Sequence, residues 1–247
     1  MTSPGLIIPD WPAPARVRAA ATLRTGGVSA GTFASFNLGA HVGDDANAVA
    51  ENRRLLEAAL QLPAEPTWLN QVHGTTVVNA TETAGSRPSA DASVALGPGA
   101  VCVVLTADCL PVLFCDRAGT RVGAAHAGWR GLVGGVLEET IKALGVQPFE
   151  LLAWLGPAIE QTAFEVGPEV LEQFVARDPN NAMAFQANAR GRWQADLYQL
   201  ARNELARLGV ISVHGGGFKC FSDSERFFSY RRDPRTGRMG TLVWLAG

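Results

Sequence analysis

The sequence predicts an α+β chain, mixed α/β layers around one sheet, in a single domain spanning residues 1–247. Three observations point there. Short apolar runs of strand length alternate irregularly with amphipathic helical stretches. No segment repeats at a fixed period. No flexible linker divides the 247 residues, a length that one domain of this class accommodates. Apolar residues make up 47%, enough to bury a core without disulfide or metal staples.

The elements follow in order. "VRAAATLRTGGVSAG" reads as a strand ending in a Gly/Ser turn. "DDANAVAENRRLLEAALQLP" is the first helix, capped by Asp44 or Asp45 and stopped by Pro63. "PTWLNQVHGTTVV" reads as strand, interruption, strand, and "TETAGSRPSADAS" has loop composition. Two strands, "AVCVVLTADC" and "LPVLFCD", precede the turn "DRAGT" and the returning strand "RVGAAHAGW". "GGVLEETIKALGV" is a helix that Gly145 can end, and "FELLAWLGPAI" is a buried strand. "GPEVLEQFVARD" is a helix with Pro at its start, and "DPNNAMAFQANARGRWQA" is polar and irregular. "DLYQLARNELARLGV" is the clearest helix, with Asp196 as cap and Gly209 after its last turn. "ISVHGGGFKCF" begins as a strand, and a strand closes the chain.

Charge and cysteine content narrow the function. The net charge of −2 gives no electrostatic case for nucleic acid or an anionic membrane. Four cysteines without a C-x-x-C pair suit reduced thiols, and no signal-like or 18-residue apolar segment appears. A cytoplasmic protein is expected.

"DCLPVLFCDRAGTRVGAAHAGWRG" reads as a hairpin with a three-residue loop and Gly119 in the left-handed position. That register sets Asp116 opposite Thr120 and Cys109 opposite Ala127, beside His126. Alternation would point Cys109 and His126 to opposite faces, so an irregularity at Pro111 is expected to bring them together. Such a pair is half a metal site, a nucleophile and its base, or a buried thiol beside a satisfied histidine. Small residues surround His126, Asp108 adds a carboxylate, and His73 lies at another strand end in "LNQVHG". His73, Cys109 and His126 would supply the three ligands of a catalytic zinc with one open position, although their spacing is no local signature.

"LNQVHG", "SADAS", "TADCLPVLF", "AAHAGWRGL", "AWLGPAI", "FEVG" and "FFSYRRD-x-x-TGRM" occur in this order in the YfiH family, and the chain resembles that family over nearly its whole length. The family is also called polyphenol oxidase or laccase-domain, and a peptidoglycan editing factor belongs to it. "HGGGFKCFSDSE" departs from the shorter family stretch there, so Lys219 is expected to be particular to this chain. The resemblance implies a fold shared with bacterial cysteine-hydrolase toxins and zinc held by His73, Cys109 and His126. It also implies phosphorolysis of adenosine, inosine, guanosine and methylthioadenosine, together with adenosine deamination.

Zinc lowers the pKa of a bound water to about 7, which suits attack on C6 of adenine, and Asp108 is the candidate proton shuttle. Phosphate calls for the planar fork of arginine, with Arg24, Arg53 and Arg130 as candidates. Asn70, Gln71 or His73 could donate to the leaving purine, and Phe36, Phe227 or Phe228 could stack on it. Two other chemistries compete. One is a Cys-His hydrolase editing peptidoglycan precursors, with Cys109 as nucleophile and His126 as base. The other is copper-dependent oxidation of phenols, which four histidines supply poorly.

Overall fold

The computed structural model describes residues 3–83 and 85–247. Its fold is α+β, as expected, but the strands form two large sheets and one small one rather than a single sheet. In the first, β1 (Leu6–Ile7), β2 (Val17–Thr22), β13 (Met239–Leu245) and β5 (Val101–Thr106) lie side by side in that order, all antiparallel. The second runs β12 (Ser212–Gly215), β8 (Leu151–Leu155), β6 (Leu110–Asp116), β7 (Val122–Ala127), β4 (Ala92–Ala95), β3 (Val77–Asn79). Only its outer pairs, β12 with β8 and β3 with β4, are parallel.

Alternation along the strands builds four layers. Val101, Val103 and Leu105 of β5 join Leu242 and Trp244 against Leu56 of α1 (Ala46–Leu60). The intervening Cys102 and Val104 face Leu113, Cys115, Ala124 and Trp154 of the second sheet. That sheet's other face, with Val112, Phe114 and Ala125, packs on α3 (Val136–Leu144), α4 (Pro168–Arg177) and α5 (Leu197–Arg207). Strands buried on both faces read as continuous apolar runs, which explains the apolar runs 101–105 and 109–115. Each fully buried Val, Leu or Phe there contributes roughly 1.5–3 kcal/mol.

Local chemistry sets the helix ends. Asp45 caps α1 by accepting from the Ala48 N–H at 2.9 Å, and Asp196 caps α5 by accepting from Gln199 at 3.0 Å. The first helix stops at Gln61, in the left-handed region, before Pro63 is reached. The helix expected from Gly134 starts earlier, as α2 (Trp129–Gly134), and is broken from α3 at Gly135, whose φ of 101° only glycine takes readily. The stretch expected to be irregular carries a 3₁₀ turn and two strands, β10 (Phe185–Ala187) and β11 (Trp193–Ala195). These pair with β9 (Glu165–Val166) in the small sheet.

The hairpin register differs from expectation by one residue. Leu110 pairs with Ala127 and Pro111 with His126, so Cys109 comes level with Gly128. The cause is the loop. Asp116 accepts from the Thr120 N–H and hydroxyl and from the Arg121 N–H, which lengthens the turn to four residues. Pro111 stays in register, and the irregularity lies at residues 107–109, where the chain crosses from the first sheet to the second. Asp108 takes φ 96° there, and its carbonyl accepts from the Ile159 N–H.

Candidate active site

The crossover delivers Cys109 to the end of β6 beside the end of β7, where His126 sits. His73 arrives from a third direction, on the loop between Asn70 and β3. One donor atom from each of these three residues lies within 4.8 Å of the others. The two imidazoles stand edge to face, their centroids 4.9 Å apart. The three donors line a cleft of about 530 Å³ together with His41, Tyr230, Arg231 and Arg238.

Two residues make this convergence possible. Gly128 follows β7, and a Cβ there would lie 2.9 Å from Cys109 Sγ and 3.2 Å from His73 Nδ1. Glycine therefore vacates the space between two donors. Asp91, fully buried, precedes β4. One of its oxygens lies 2.8 Å from His126 Nδ1, and the carboxylate accepts the N–H groups of Val72, His73 and Gly74 at 3.2, 3.0 and 2.7 Å. With Nδ1 donating to Asp91, His126 keeps Nε2 for the site. The same carboxylate holds His73 at φ 59°, a left-handed conformation that a histidine seldom takes unaided. Gln71 secures the loop further: its amide exchanges two 2.8 Å hydrogen bonds with the Leu105 backbone at the end of β5.

Electrostatics follow from these contacts. Burial would raise the Asp91 carboxyl, but hydrogen bonds from His126 and the backbone outweigh it and hold Asp91 below the usual carboxylate range. Burial would lower His126, yet Cys109 and Asp91 dominate and bring the metal-free imidazole up to about 9. Burial and the neighbouring His126 lower His73. Asp108, on the cleft wall, accepts one backbone N–H, from Arg231 at 2.6 Å, and burial pushes its carboxyl upward.

The remaining predicted residues separate into two groups. Arg130 and Gln71 line the cleft with the donors and Asp108, although the Gln71 amide is committed to Leu105. Arg24, Arg53 and Asn70 lie outside that lining. Arg24 donates to the Ala34 and Ser224 carbonyls, Arg53 to the Leu38 carbonyl, and Asn70 to the Ser89 hydroxyl. Phe36, Phe227 and Phe228 are fully buried in the core, and the aromatic walls of the cleft come from Trp129, Phe164 and Tyr230. Sequence reasoning missed Asp91, Gly128 and Arg238. The available signal for Asp91 was a lone carboxylate in the small-residue run "SADASVA", which is costly to bury unless several donors meet it.

Comparison with known proteins identifies the family. The model of the multi-copper polyphenol oxidoreductase laccase family matches residues 18–246. The chain is 59% identical over 240 residues to a Pseudomonas aeruginosa protein named purine nucleoside phosphorylase, covering 97% of this chain and 98% of that one. It is 53% identical, with the same coverage, to Escherichia coli purine nucleoside phosphorylase YfiH. A Neisseria meningitidis crystal structure superposes with a TM-score of 0.95 at 53% identity, covering 98% of this chain and all of that one. YlmD from Geobacillus stearothermophilus superposes with a TM-score of 0.89 at 29% identity, covering 94% and 93%.

Proposed function

The chain belongs to the multi-copper polyphenol oxidoreductase laccase family, and from that membership we propose that it is a zinc-dependent purine nucleoside phosphorylase that also deaminates adenosine. The observation that carries the reading is the convergence of His73, Cys109 and His126 on one point that Gly128 leaves open. One thiolate and two imidazoles are the donor set of a catalytic zinc with a free position. They are not that of a multicopper cluster, which needs more than the chain's four histidines, and His214 is bonded to Ser212 away from the cleft. The relatives named as purine nucleoside phosphorylases supply the reaction class.

Zinc at this site would supply a Lewis acid and lower the pKa of water. The protein's own groups do the rest. Asp91 fixes the tautomer and angle of His126 and the backbone of His73. The walls of Trp129, Phe164 and Tyr230 offer the flat apolar surface that a purine needs. In phosphorolysis a phosphate oxygen bonds to C1′ as the C1′–N9 bond breaks, and the electron pair leaves with the purine, which requires one proton. Asp108 lines the cleft with its carboxyl pushed upward by burial, which supports it as the group that would hold that proton. In deamination the same carboxyl would pass a proton to the departing ammonia.

Metal analysis paired with base release from adenosine, inosine and methylthioadenosine tests the reading. Zinc near one equivalent and phosphate-dependent release are expected, both lost in Cys109→Ala. Absence of base release from every purine nucleoside would overturn it. One observation favours a second reading. Cys109, His126 and Asp91 also stand in the order nucleophile, base and orienting acid, as in a Cys-His hydrolase. That reading leaves His73 without a role. It would prevail if chelation left activity intact while an electrophile trapped Cys109.

A further inference from the structure

Of the arginines expected to hold phosphate only Arg130 lines this cleft, and Arg231 and Arg238 line it as well. Arg130 and Arg231 are exposed. Arg130 lies over the Trp129 ring, and Arg231 donates to the Ala163 and Glu165 carbonyls on the protein's outer side. Arg238 differs from both. It is half-buried at the start of β13 and forms no salt bridge among the described residues. Its Nη1 donates to the Thr236 and Gly237 carbonyls at 2.9 and 3.0 Å, which fixes the plane of the guanidinium. Its Nε and Nη2 have no hydrogen-bond partner among the described residues.

The surroundings hold this side chain in place rather than merely tolerating it. The Arg238 N–H donates to Asn37 Oδ1 at 2.9 Å, and Asn37 is itself fully buried, with its amide donating to Asp44 and the Gly39 carbonyl. A Cβ at Gly39 would lie 2.8 Å from Arg238 Cγ, so glycine there makes room for the stem. Register adds a neighbour. Met239 pairs with Thr106, whose hydroxyl is buried without a partner and whose residue lines the same cleft. A fixed cationic fork with two free donors and an unspent hydroxyl thus line the same cleft as the three converging donors. A half-buried guanidinium with no salt bridge among the described residues, and with only the nearby Cys109, Asp108 and Tyr230 groups to offset its charge, is suited to an oxyanion from the cleft.

We propose that Arg238 is the residue that holds inorganic phosphate in this cleft, with the Thr106 hydroxyl beside it. The assignment rests on the phosphorylase reading and adds the position of the second substrate. The planar fork gives two parallel N–H bonds to phosphate oxygens, which lysine cannot reproduce. Phosphate held at the β5–β13 end would share the cleft with the nucleoside and the three donors.

The test compares wild type with Arg238→Gln and Arg238→Lys, metal-loaded, and reads half-saturation by phosphate separately from half-saturation by inosine. Phosphate half-saturation should rise at least tenfold in Arg238→Gln and less in Arg238→Lys, with that for inosine within about twofold and metal content unchanged. A merely structural role would move both constants or neither. Unchanged phosphate half-saturation in either folded variant overturns the proposal, as does a phosphate effect confined to Arg130→Gln. Phosphate binding is also measured without turnover, from ³¹P line broadening as protein is added. If wild type releases no base but broadens phosphate and Arg238→Gln does not, the phosphorylase reading fails and the anion site stands. If wild type broadens no phosphate, the anion site fails, whatever happens to the nucleoside.

Discussion

Asp91 and Asp108 are both buried beside the same cleft, one on each side of Cys109's approach, yet their surroundings drive them apart. Asp91 meets four N–H donors, three from the backbone of 72–74 and one from His126. Asp108 meets one backbone N–H, from Arg231. Burial pushes both upward, and only at Asp91 do the hydrogen bonds win. Burial therefore does not by itself decide the charge of a carboxylate; the number of donors aimed at it does. The consequence is a division of labour. Asp91 is held toward its anion and braces the donor set from outside the cleft lining, while Asp108, on the cleft wall, is pushed toward its neutral form.

Removing that charge at Asp91 should produce the largest effect. Asp91→Asn keeps the volume but turns an amide N–H toward backbone donors that already point inward. A stability loss of about 3 kcal/mol is expected, as for a broken buried ion pair. Zinc affinity should fall about 10- to 100-fold, the usual cost of losing the partner of a ligating histidine. Thermal unfolding and metal titration would check the two losses. Unchanged metal affinity in a folded Asp91→Asn would break the comparison, since Asp91 would then be a structural anion only.

Gly128→Ala separates site from scaffold more finely. Gly128 has φ −61° and ψ 158°, which alanine adopts without backbone strain, and the nearest atoms its methyl would crowd are the ends of two side chains, so the fold should survive. Its new methyl would intrude between Cys109 Sγ and His73 Nδ1. Metal affinity should therefore drop by roughly tenfold or more while the unfolding midpoint of metal-free protein barely moves. A variant that binds zinc as wild type does would show that the donors meet elsewhere.

These two residues also show where a sequence stops being legible. The layers were readable because alternation and helical period report burial directly, and Cys109, His126 and His73 stood out because such side chains are scarce. The existence of two sheets was not readable: Asp108 and Pro111 mark a break between two strands in 101–116, but nothing in the pattern says that the strands on either side of 107–109 join different sheets. The hairpin register slipped because the Asp116 side chain, not turn propensity, sets the loop length. Asp91 and Gly128 act through distant partners, 17 to 19 residues away in one case and across a strand pair in the other. Local patterns flag at most an isolated carboxylate and a small residue, and never the partners that these meet. Arg24 and Arg53 drew attention by residue type, but only the fold shows that their donors are spent on backbone carbonyls.

The smallest expected effect is the most diagnostic in sign. A carboxyl whose folded pKa lies above its unfolded value binds its proton more tightly when folded. Its contribution is fully present below the unfolded pKa and is lost as pH rises through the folded one. Asp108 is such a group, so at neutral pH its ionisation works against the fold, whereas Asp91 contributes above the unfolded value and loses that contribution in acid. Asparagine tolerates the positive φ at position 108 better than most residues and removes the charge. Asp108→Asn should therefore unfold at the same temperature as wild type at pH 7, or up to a few degrees higher, roughly 1 kcal/mol at most. The gap should close toward pH 4. Base release should meanwhile lose the limb of its pH profile that the carboxyl supplies, with zinc content unchanged. A lower unfolding temperature at neutral pH would mean that Asp108 is held as an anion after all, and the contrast with Asp91 would collapse.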